Sequence, residues 1–552
     1  MRRLGPLLIV ATLVLVPASA LRAQSEPDQT TRLATLCRVW GLMKYFHPDV
    51  AGGAVDWDAA LIETIPRVKA AQTKAALNEE VLRLIRAAGP EPRLPAGQSA
   101  DQPEADPLFA WLDDRTIFEP SSMQALKIIR RATVLLTSRY VRRAPGAGNP
   151  DFSGEAAWLG GQLPNEENRL LALFRFWNMV QYYFPNRDIM DRPWNDVLVE
   201  SIPRFISATD ALAYHLAAAE LVVNINDSHG AFSSGVISNH WGVNLPGVRT
   251  RFIESQTVVT RAYQRYIGNA DVRVGDVITT IGGVPVADLR ARIARYVASS
   301  NEGALQRTVD SLLLRTSAAT LTLGLSRGNT PRSATLQTYN GSVINAEETA
   351  LVSQEPKWRV VSGNIGYVHM GLLLTTDVPA MITALRETRA IVFDVRNYPN
   401  GTLYLIAQWL NPAARNFVTF TAPDYRRPGS FEWTAMLQAG PSAPRSDSYR
   451  GRVLVLGDER TQSHAEFTMM ALRTAPDVIV LGGPTAGADG NVSPIDLPGG
   501  IRTFFSGLGV FYPDRSPTQR VGIVPDIHVT PTVAGIRNGV DEVLQRALSL
   551  VP

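Results

Sequence analysis

The spacing of hydrophobic and polar positions changes along the chain and divides it into distinct regions. Residues 24–87 and 166–243 place apolar side chains at intervals of three and four, which predicts amphipathic helices. Residues 244–340 contain short strand patterns between glycine-rich turns. From residue 355 to 552, apolar strand-like runs alternate with helical stretches, which is typical of a layered α/β domain. Residues 88–165 are rich in proline, glycine and charge, and we predict an irregular linker there with one strand-like or helical patch at about 125–141.

The two helical regions are copies of each other. Aromatic and proline residues of the first copy recur 137 positions later, without a gap. The matched pairs are Trp40 and Trp177, Tyr45 and Tyr182, Pro48 and Pro185, Trp57 and Trp194, and Pro66 and Pro203. This register predicts two related helical units whose aromatic residues form a core. Because His47 of the first copy is matched by Phe184 of the second, we do not expect that histidine to be catalytic.

Composition narrows the class of protein. The chain has 552 residues, of which 45% are hydrophobic, and 54 lysines and arginines nearly balance 51 aspartates and glutamates. This balance is typical of a multi-domain globular protein and disfavours a nucleic-acid-binding one. Cys37 is the single cysteine, which excludes an internal disulfide and a cysteine-based metal cluster. We expect neither a cofactor nor a metal.

The N-terminus has the pattern of an export signal. Arg2 and Arg3 precede an apolar run at residues 7–16, and residues 18–20 (Ala-Ser-Ala) supply the small side chains that signal peptidase requires. The run is too short to cross a bilayer core of about 30 Å comfortably. We therefore expect residues 1–23 to be a cleaved signal peptide. The mature protein would be periplasmic or secreted, without a stable membrane anchor.

A predicted strand-turn-helix junction carries the strongest candidate chemistry. The apolar run at residues 453–456 leads through a polar turn to Ser463 and then to an apolar helical pattern. Ser463 and Glu466 also match a capping box, which by itself accounts for both residues. As a nucleophile, however, Ser463 would lie at a helix N-terminus, where exposed amides can stabilise an oxyanion.

Elimination narrows the choice of a base for this serine. Lys357 is the last lysine of the chain, so the α/β region contains no Ser-Lys dyad. His464 directly follows Ser463, and adjacent helical residues diverge by about 100°. The other histidines lie in strand or helix patterns or beside a tryptophan, except His229, which occupies a tight polar turn. His229 is therefore the best candidate for a general base.

Residues 244–340 resemble a PDZ domain. They combine a Gly-Asp turn at 275–276, a Gly-Gly turn at 282–283 and a closing hairpin at 320–337. A PDZ domain binds an extended peptide as an added strand, so polypeptides are the expected partners. This region differs from the usual form in a helical insertion at about 298–316 and in lacking a Gly-Leu-Gly-Phe-type loop.

The order of motifs in the second half resembles the S41-type serine peptidases, which include the C-terminal processing peptidases and the tricorn protease core. The motifs are Asp-Ser-His at 227–229, the PDZ-like region, Asp-Val-Arg-Asn at 394–397 followed by Gly401, Ser-x-Ala-Glu at 463–466, Gly-Gly-Pro-Thr-Ala-Gly at 482–487 and Val-Gly-Ile-Val-Pro-Asp at 521–526. The resemblance implies a multi-domain α+β protein: a duplicated helical N-terminal region, a PDZ-like β domain and a ClpP/crotonase-like layered peptidase core. It also implies a role for each motif. Ser463 would be the nucleophile and His229 the general base, with Ser228 orienting the site, while the backbone amides of Gly401 and His464 form the oxyanion hole.

Two positions depart from the family pattern. The lysine of the processing peptidases is replaced by Ala488, and the glutamate of the tricorn-like branch by Gln519. A glutamine can orient the histidine by a hydrogen bond, but it cannot stabilise an imidazolium by charge. Asp227 and Asp489 are therefore alternative carboxylate partners.

The sequence predicts an exported serine endopeptidase that acts through a Ser463–His229 acyl-enzyme. The alternative is a catalytically degenerate peptide-binding scaffold of the same family, which Gln519 favours. An amide hydrolase for small molecules is disfavoured, because a PDZ-like module has little use in such an enzyme. The oligomeric state stays open.

Overall fold

A computed structural model describes residues 26–134 and 138–551. The predicted signal peptide, residues 1–23, lies outside the described residues. The chain is a mixed α/β protein in which a helical region (26–243) precedes a β region (244–352) and an α/β region (355–551). Among the described helices, none combines the length and apolar composition that crossing a bilayer requires.

The helical region contains both copies of the duplicated sequence. Its helices are α1 (Gln29–Phe46), α2 (Pro48–Ala51), α3 (Trp57–Ala70), α4 (Lys74–Ala87), α5 (Pro120–Arg131), α6 (Glu166–Tyr183), α7 (Trp194–Ser207), α8 (Ala211–Val223) and α9 (Gly235–Trp241). Two 3-10 turns, Pro107–Asp113 and Arg187–Ile189, and a short strand pair, β1 (Arg142–Arg143) and β2 (Pro150–Asp151), complete it. The helices α1, α3 and α4 of the first copy correspond in order to α6, α7 and α8 of the second.

The two copies repeat the same hydrogen bonds. The indole N–H of Trp40 donates to the Trp57 carbonyl (2.9 Å), and that of Trp57 donates to the Trp40 carbonyl (3.0 Å). Trp177 and Trp194 make the same exchange at 2.9 and 3.0 Å. These four tryptophans are buried, as are the tyrosines where the copies meet. The conserved spacing thus corresponds to aromatic core packing, which agrees with the sequence prediction.

The segment 88–165 is more ordered than the predicted irregular linker. The helix α5 buries Leu126 and Ile129 in the same core as both copies, and Phe109 of the preceding 3-10 turn joins them. Pro120 occupies the first turn of α5, where its missing N–H costs nothing, and apolar residues follow at helical spacing. The linker prediction is therefore wrong for Pro107–Asp113 and for the start of α5, whereas the patch expected at about 125–141 is helical as far as Arg131.

The β region is an antiparallel sheet with packed helices. Its elements are β3 (Asn244–Pro246), β4 (Val248–Ile253), β5 (Gln256–Ala262), α10 (Gln264–Ile267), β6 (Val277–Ile281), β7 (Val284–Pro285), α11 (Val286–Ala294), α12 (Glu302–Leu313), β8 (Thr320–Arg327), β9 (Thr330–Asn340) and α13 (Gly341–Val352). The sheet order is β3-β9-β8-β6-β5-β4, with β7 beside β6. The predicted closing hairpin is β8–β9. The predicted helical insertion is α12, and its Asp310 accepts a hydrogen bond from the Phe252 N–H of β4 (2.8 Å).

The α/β region alternates strands and helices as the sequence predicts. Its elements are β10 (Trp358–Val361), β11 (Ile365–His369), a 3-10 turn (Thr375–Asp377), α14 (Val378–Leu385), β12 (Ala390–Asp394), α15 (Leu403–Leu410), β13 (Arg415–Pro423), β14 (Phe431–Trp433), β15 (Leu437–Ala439), β16 (Arg452–Gly457), α16 (His464–Leu472), β17 (Ile479–Gly482), β18 (Val492–Leu497), β19 (Ile501–Ser506), β20 (Gly509–Phe511), β21 (Ile527–His528), α17 (Val533–Arg537) and α18 (Glu542–Ser549). The strands β13, β14, β15 and β20 form a second, antiparallel sheet, and β18 and β19 form a hairpin.

The main sheet of this region has the order β10-β11-β12-β16-β17-β21 and is parallel from β11 onward. Successive residues of β12 enter different cores: Phe393 packs on one face, and Val392 packs on the other with Val543 of α18. Both faces are covered, which explains the continuous apolar runs in these strands. Because β12 and β16 are parallel, the loops after Asp394 and Gly457 leave the sheet at the same edge.

The hairpin β18–β19 leaves the α/β region and packs into the helical region. Its apolar side chains belong to the same core as the duplicated helices; they are Ile495, Leu497, Ile501 and Phe505. The Phe505 ring lies edge-on against Phe184 of the second copy, 5.5 Å between centroids. The hydroxyl of Tyr214 donates to the Pro498 carbonyl at the hairpin tip (2.7 Å). The helical region therefore holds this hairpin in place.

Candidate active site

Ser463 lies at the turn between β16 and α16 in a strained conformation. Its φ of 59° and ψ of −127° are sparsely populated by residues other than glycine. The backbone is held there because the Ser463 N–H donates to the Ala488 carbonyl (2.8 Å) and to the Glu466 carboxylate (3.1 Å). Within the described chain, the Ser463 side chain makes no capping hydrogen bond to the helix start. The Glu466 carboxylate thus supplies its half of the predicted capping box by accepting the Ser463 N–H.

Glu466 connects the serine turn to the loop that follows β17. Its buried carboxylate accepts hydrogen bonds from the Thr485 hydroxyl, the Gly487 N–H (2.9 Å) and the Ala488 N–H (3.0 Å). Burial raises the pKa of Glu466 to about 7, although these donors oppose the shift. The glutamate of the Ser-x-Ala-Glu motif therefore fixes the loop against which Ser463 rests.

His229 is buried in the loop between α8 and α9, where its ring meets a residue that the sequence analysis missed. The ring Nδ1 lies 2.8 Å from the Ser506 hydroxyl oxygen. That hydroxyl donates to the Asp227 carboxylate (3.1 Å). The Asp227 oxygen lies 3.9 Å from Nδ1, which is too far for a direct hydrogen bond. Ser506 ends a strand and matches no motif, so the sequence carried no signal for this contact.

The surroundings of His229 favour its neutral form. Burial lowers the pKa of His229, and the nearby Arg307 guanidinium lowers it further, while the Asp227 carboxylate opposes the shift. The imidazole therefore stays neutral to lower pH than an ordinary histidine does, and a general base must be neutral before it takes a proton.

The turns that carry Ser463 and His229 touch each other. The side-chain amide of Gln462 donates to the Ser228 carbonyl (3.3 Å), although these neighbours of the two predicted catalytic residues are 234 positions apart. The Ser228 hydroxyl also donates to the Ala486 carbonyl in the loop held by Glu466 (3.3 Å). The structure therefore brings the predicted nucleophile turn and the predicted base turn together.

Gln519 approaches Ser228 through an intermediate serine. The backbone N–H of Ser228 donates to the Ser300 hydroxyl, and the Ser300 N–H donates to the Ser228 hydroxyl, both at 2.9 Å. The Gln519 amide donates to the same Ser300 hydroxyl (3.4 Å). Ser506, rather than Gln519, occupies the Nδ1 side of His229. Gln519 is thus connected to the histidine loop through Ser300.

Asp489, the other alternative carboxylate, lies near Glu466. It is buried, and one of its oxygens accepts the Gly490 N–H (2.7 Å). Among the described residues its second oxygen has no hydrogen-bond partner. Burial and the charge of Glu466 raise the pKa of Asp489 well above its ordinary value. Of the two alternatives, the one joined to the histidine is Asp227.

The two predicted oxyanion donors lie on neighbouring segments. Gly401 ends a loop with φ of 70°, a conformation that favours glycine. Asn400 anchors this loop by donating to the Gly371 carbonyl (2.8 Å). The Tyr398 ring of the same loop lies 6.1 Å from the His464 ring, centroid to centroid. His464 is the first residue of α16, so intrahelical bonding leaves its amide free.

A cavity of about 430 Å³ adjoins these turns. Its lining includes Ser228 and Gly230 of the histidine loop, Gln462 beside the nucleophile, Trp241 of α9 and Arg307 of α12. The helical, β and α/β regions all contribute residues to the lining of this cavity. The cavity has room for a substrate side chain next to the predicted catalytic pair.

Comparisons with known proteins show which family and which fold this chain resembles. Residues 364–529 match the sequence profile of peptidase family S41. No curated protein matches the chain. The structure of mature CPAF aligns with a TM-score of 0.54 and 15% identity over 70% of this chain and 97% of that chain. Mature CPAF complexed with lactacystin gives a TM-score of 0.54 and 15% identity over 70% and 98% of the two chains. At this identity the similarity establishes a shared fold.

Proposed function

We propose that this chain, whose residues 364–529 match the profile of peptidase family S41, is a serine peptidase that hydrolyses peptide bonds in protein substrates through an acyl-enzyme on Ser463. His229 is the general base in this proposal. The contact between Gln462 and the Ser228 carbonyl carries it, since that contact joins the turns of the two residues. The strained backbone of Ser463 supports it further, because such strain is common at nucleophile turns.

The proposed mechanism assigns each step to an atom. The Nε2 atom of His229 takes the proton of the Ser463 hydroxyl as its oxygen attacks the scissile carbonyl carbon. The amides of Gly401 and His464 donate to the oxyanion of the tetrahedral intermediate. The imidazolium then protonates the leaving amine, and the C–N bond breaks. In the second half, Nε2 takes a proton from water as the water oxygen attacks the acyl carbon. The imidazolium then returns that proton to the Ser463 oxygen as the bond from this oxygen to the acyl carbon breaks, which releases the carboxylic acid product and restores the free hydroxyl.

A fluorophosphonate probe and hydrolysis of an unfolded protein test this proposal together. We expect the wild-type protein to be labelled and active, and Ser463→Ala and His229→Ala to lose both properties. His240→Ala is the matched control, because His240 is exposed on α9 and lies outside the proposed machinery. Full hydrolysis by Ser463→Ala would show that the nucleophile is misassigned.

We further propose that residues 244–340 are a PDZ-like domain that captures substrate segments, and that the α/β region has ClpP/crotonase-type layering. The strand β4 pairs with β5 on one side and faces α12 across a cavity of about 340 Å³. A PDZ-type ligand adds a strand at such an edge. Arg249, Arg251 and Arg315 line the cavity, which favours acidic segments or a terminal carboxylate.

Peptide binding to the inactive Ser463→Ala protein tests the capture proposal. A bulky Ser311→Trp change on α12 would fill the cavity beside β4 and should weaken binding of an acidic peptide, measured by fluorescence anisotropy. The matched change Thr335→Trp lies on the exposed side of β9 and should have no effect. Equal peptide affinity in the two variants would show that the peptide does not bind in the cavity beside β4.

A non-catalytic peptide-binding scaffold is the second candidate function. Gln519 favours it, because a neutral amide stands where the tricorn-like branch has a charged group. Absence of probe labelling in the wild-type protein, together with retained peptide binding, would support this candidate over the peptidase.

We also propose export, on the basis of residues 1–23. The mass of the mature N-terminus, measured on protein recovered from the periplasm or the medium, tests it. An intact Met1 in that fraction, or protein confined to the cytoplasm, would contradict it.

A further inference from the structure

We propose that Ser506 is a positioning residue that links the Asp227 carboxylate to His229 and selects the imidazole tautomer that can act as a base. This inference rests on the proposed function, in which His229 deprotonates Ser463. It adds Asp227 and Ser506 to the proposed pair of Ser463 and His229. Asp227 belongs to the Asp-Ser-His motif, whereas Ser506 lies in none of the motifs named above.

Counting protons fixes the direction of each hydrogen bond in this chain. An ionised carboxylate only accepts, so the single proton of the Ser506 hydroxyl points to Asp227 (3.1 Å). The Ser506 oxygen must then accept from the ring Nδ1 of His229 (2.8 Å). His229 accordingly carries its proton on Nδ1, and Nε2 is left with the lone pair that a general base requires.

Three hydrogen-bond donors fix the orientation of the Asp227 carboxylate. Its oxygens accept the Ser506 N–H (2.6 Å), the His229 N–H (3.0 Å) and the Ser506 hydroxyl. The carboxylate is fully buried. Ser506 is thus bonded to Asp227 by both its backbone and its side chain, and His229 is bonded to it by its backbone N–H. Together with the contact between Ser506 and the His229 ring, these bonds make the three residues a single rigid unit.

The helical region supplies the rigidity of Ser506. Ser506 is the last residue of β19, whose hairpin is packed among the duplicated helices. Ser233, four residues after His229, exchanges backbone hydrogen bonds with Arg502 of the same strand (2.8 and 2.9 Å). The histidine loop and the serine are therefore held by the same strand. In this arrangement the duplicated helices position Ser506 in the proposed site.

The unit also stabilises the charged histidine that forms during the reaction. When Nε2 takes the proton of Ser463, the positively charged ring keeps its Nδ1–H hydrogen bond to the Ser506 oxygen. The negative charge of Asp227 polarises the Ser506 hydroxyl, and this polarisation stabilises the imidazolium. No proton moves to Asp227 in this step. The charged groups that face His229 are Asp227, which favours the imidazolium, and Arg307, which opposes it.

Two substitutions of Ser506 test this inference. Ser506→Ala removes the hydroxyl, and Ser506→Cys keeps nearly the same volume with a much weaker hydrogen-bonding group. We expect both to lower kcat by about 10² to 10⁴, the range that follows loss of histidine orientation in serine peptidases, with KM little changed. Ser506→Thr retains the hydroxyl and should recover part of the rate.

Ser493→Ala is the matched control. Ser493 is a buried serine on the neighbouring strand β18, and its hydroxyl accepts from Asn149 (3.3 Å) rather than contacting the histidine. Its loss should affect thermal stability about as much as that of the Ser506 hydroxyl, without lowering kcat. Equal kcat in Ser506→Ala, Ser506→Cys and Ser493→Ala would overturn the inference.

Two readouts separate positioning from simple packing. In ¹⁵N spectra of labelled histidine at neutral pH, the wild-type His229 should show the Nδ1–H tautomer, and Ser506→Ala should show a mixture. The acidic limb of kcat/KM should also move to lower pH in Ser506→Ala, because the imidazolium loses its link to Asp227. An unchanged tautomer and an unchanged acidic limb would mean that Ser506 only fills space.

The outcomes distinguish this inference from the proposed function. If His229→Ala abolishes probe labelling while Ser506→Ala and Ser506→Cys keep the full rate, the peptidase assignment stands and the inference fails. If the wild-type protein is not labelled at all, the proposed function fails. The ¹⁵N spectra then still decide whether Ser506 selects the tautomer.

Discussion

Glu466 and Asp489 are two buried carboxyls behind the nucleophile turn. Burial raises the pKa of Glu466 to about 7, and burial together with the charge of Glu466 raises that of Asp489 well above its ordinary value. A group whose folded pKa exceeds its unfolded pKa stabilises the fold when protonated, and this contribution is lost as pH rises through the folded value. The fold around Ser463 should therefore lose stability as the pH rises from about 4.5 to about 7, the window set by Glu466.

Asp489→Asn tests that expectation. The amide stays neutral at every pH, so the difference in unfolding free energy between variant and wild type should grow as pH rises above about 4, to about 1–3 kcal/mol at pH 8. Thermal unfolding measured from pH 4 to 8 gives this difference. Asp514→Asn is the control, since Asp514 is exposed and hydrogen bonds from Ser516 lower its pKa. A pH-independent difference for Asp489→Asn would refute the expectation.

The catalytic candidates differ in how visible they were in the sequence. Ser463 and His229 lie in turns whose residue types and order are informative over short stretches. Ser506 lies 277 positions from the histidine that it contacts and ends an ordinary strand. Nothing local distinguishes it from other strand serines. Asp227 was visible only as one of two possible carboxylates, and the contact with Ser506 decides between them.

The hairpin β18–β19 is the element that connects the helical region to the site. The sequence shows only a strand-like run near its second strand, whereas the structure buries its apolar residues among helices. Phe184 is one of the residues that hold it, through its edge-on contact with Phe505. The two copies are not equivalent in this respect: the first has His47 at the corresponding position.

Phe184→Leu tests the link between this element and catalysis. The change is nearly volume-conserving and should cost about 1 kcal/mol of stability, yet a small displacement of Ser506 should lower kcat by up to about 10². Phe46→Leu makes the same change in the first copy, where the ring packs against Phe109 and Tyr182. Steady-state kinetics should show the kcat loss in Phe184→Leu alone. Equal kcat in both variants would show that the packing of the hairpin against Phe184 does not affect the catalytic rate.

In the whole molecule, the three regions converge on one set of contacts. The helix α12 of the β region reaches the nucleophile turn through Arg307, whose guanidinium donates to the Gln462 side chain (2.6 Å) and to the Glu459 carbonyl (3.1 Å). Gln462 in turn donates to the Ser228 carbonyl of the histidine loop. The same arginine lowers the pKa of His229.

Arg307→Met tests this convergence. Removing the cation should raise the pKa of His229 and move the acidic limb of kcat/KM to higher pH, because the imidazolium is no longer repelled. The loss of two hydrogen bonds to the nucleophile turn should also lower kcat by about 10-fold. Arg292→Met, at an exposed position on the neighbouring helix α11, is the control. An acidic limb that stays in place in Arg307→Met would show that the arginine does not act on His229.

The sequence alone determined the elements and the two central catalytic candidates. Helical and strand periods, glycine turns and the 137-position repeat are local patterns, and each restricts the backbone within a few residues. They therefore predicted the alternating strands and helices of the α/β region, the turn at Ser463 and the loop at His229.

Tertiary structure decided which residues meet. The burial of β18–β19 among the duplicated helices, the contact of Ser506 with His229 and the choice of Asp227 over Asp489 join segments that are far apart in the chain. Such contacts depend on how complete elements pack, and a single serine or aspartate has the same local pattern wherever packing places it. For that reason the partner of the histidine became visible only in the folded protein.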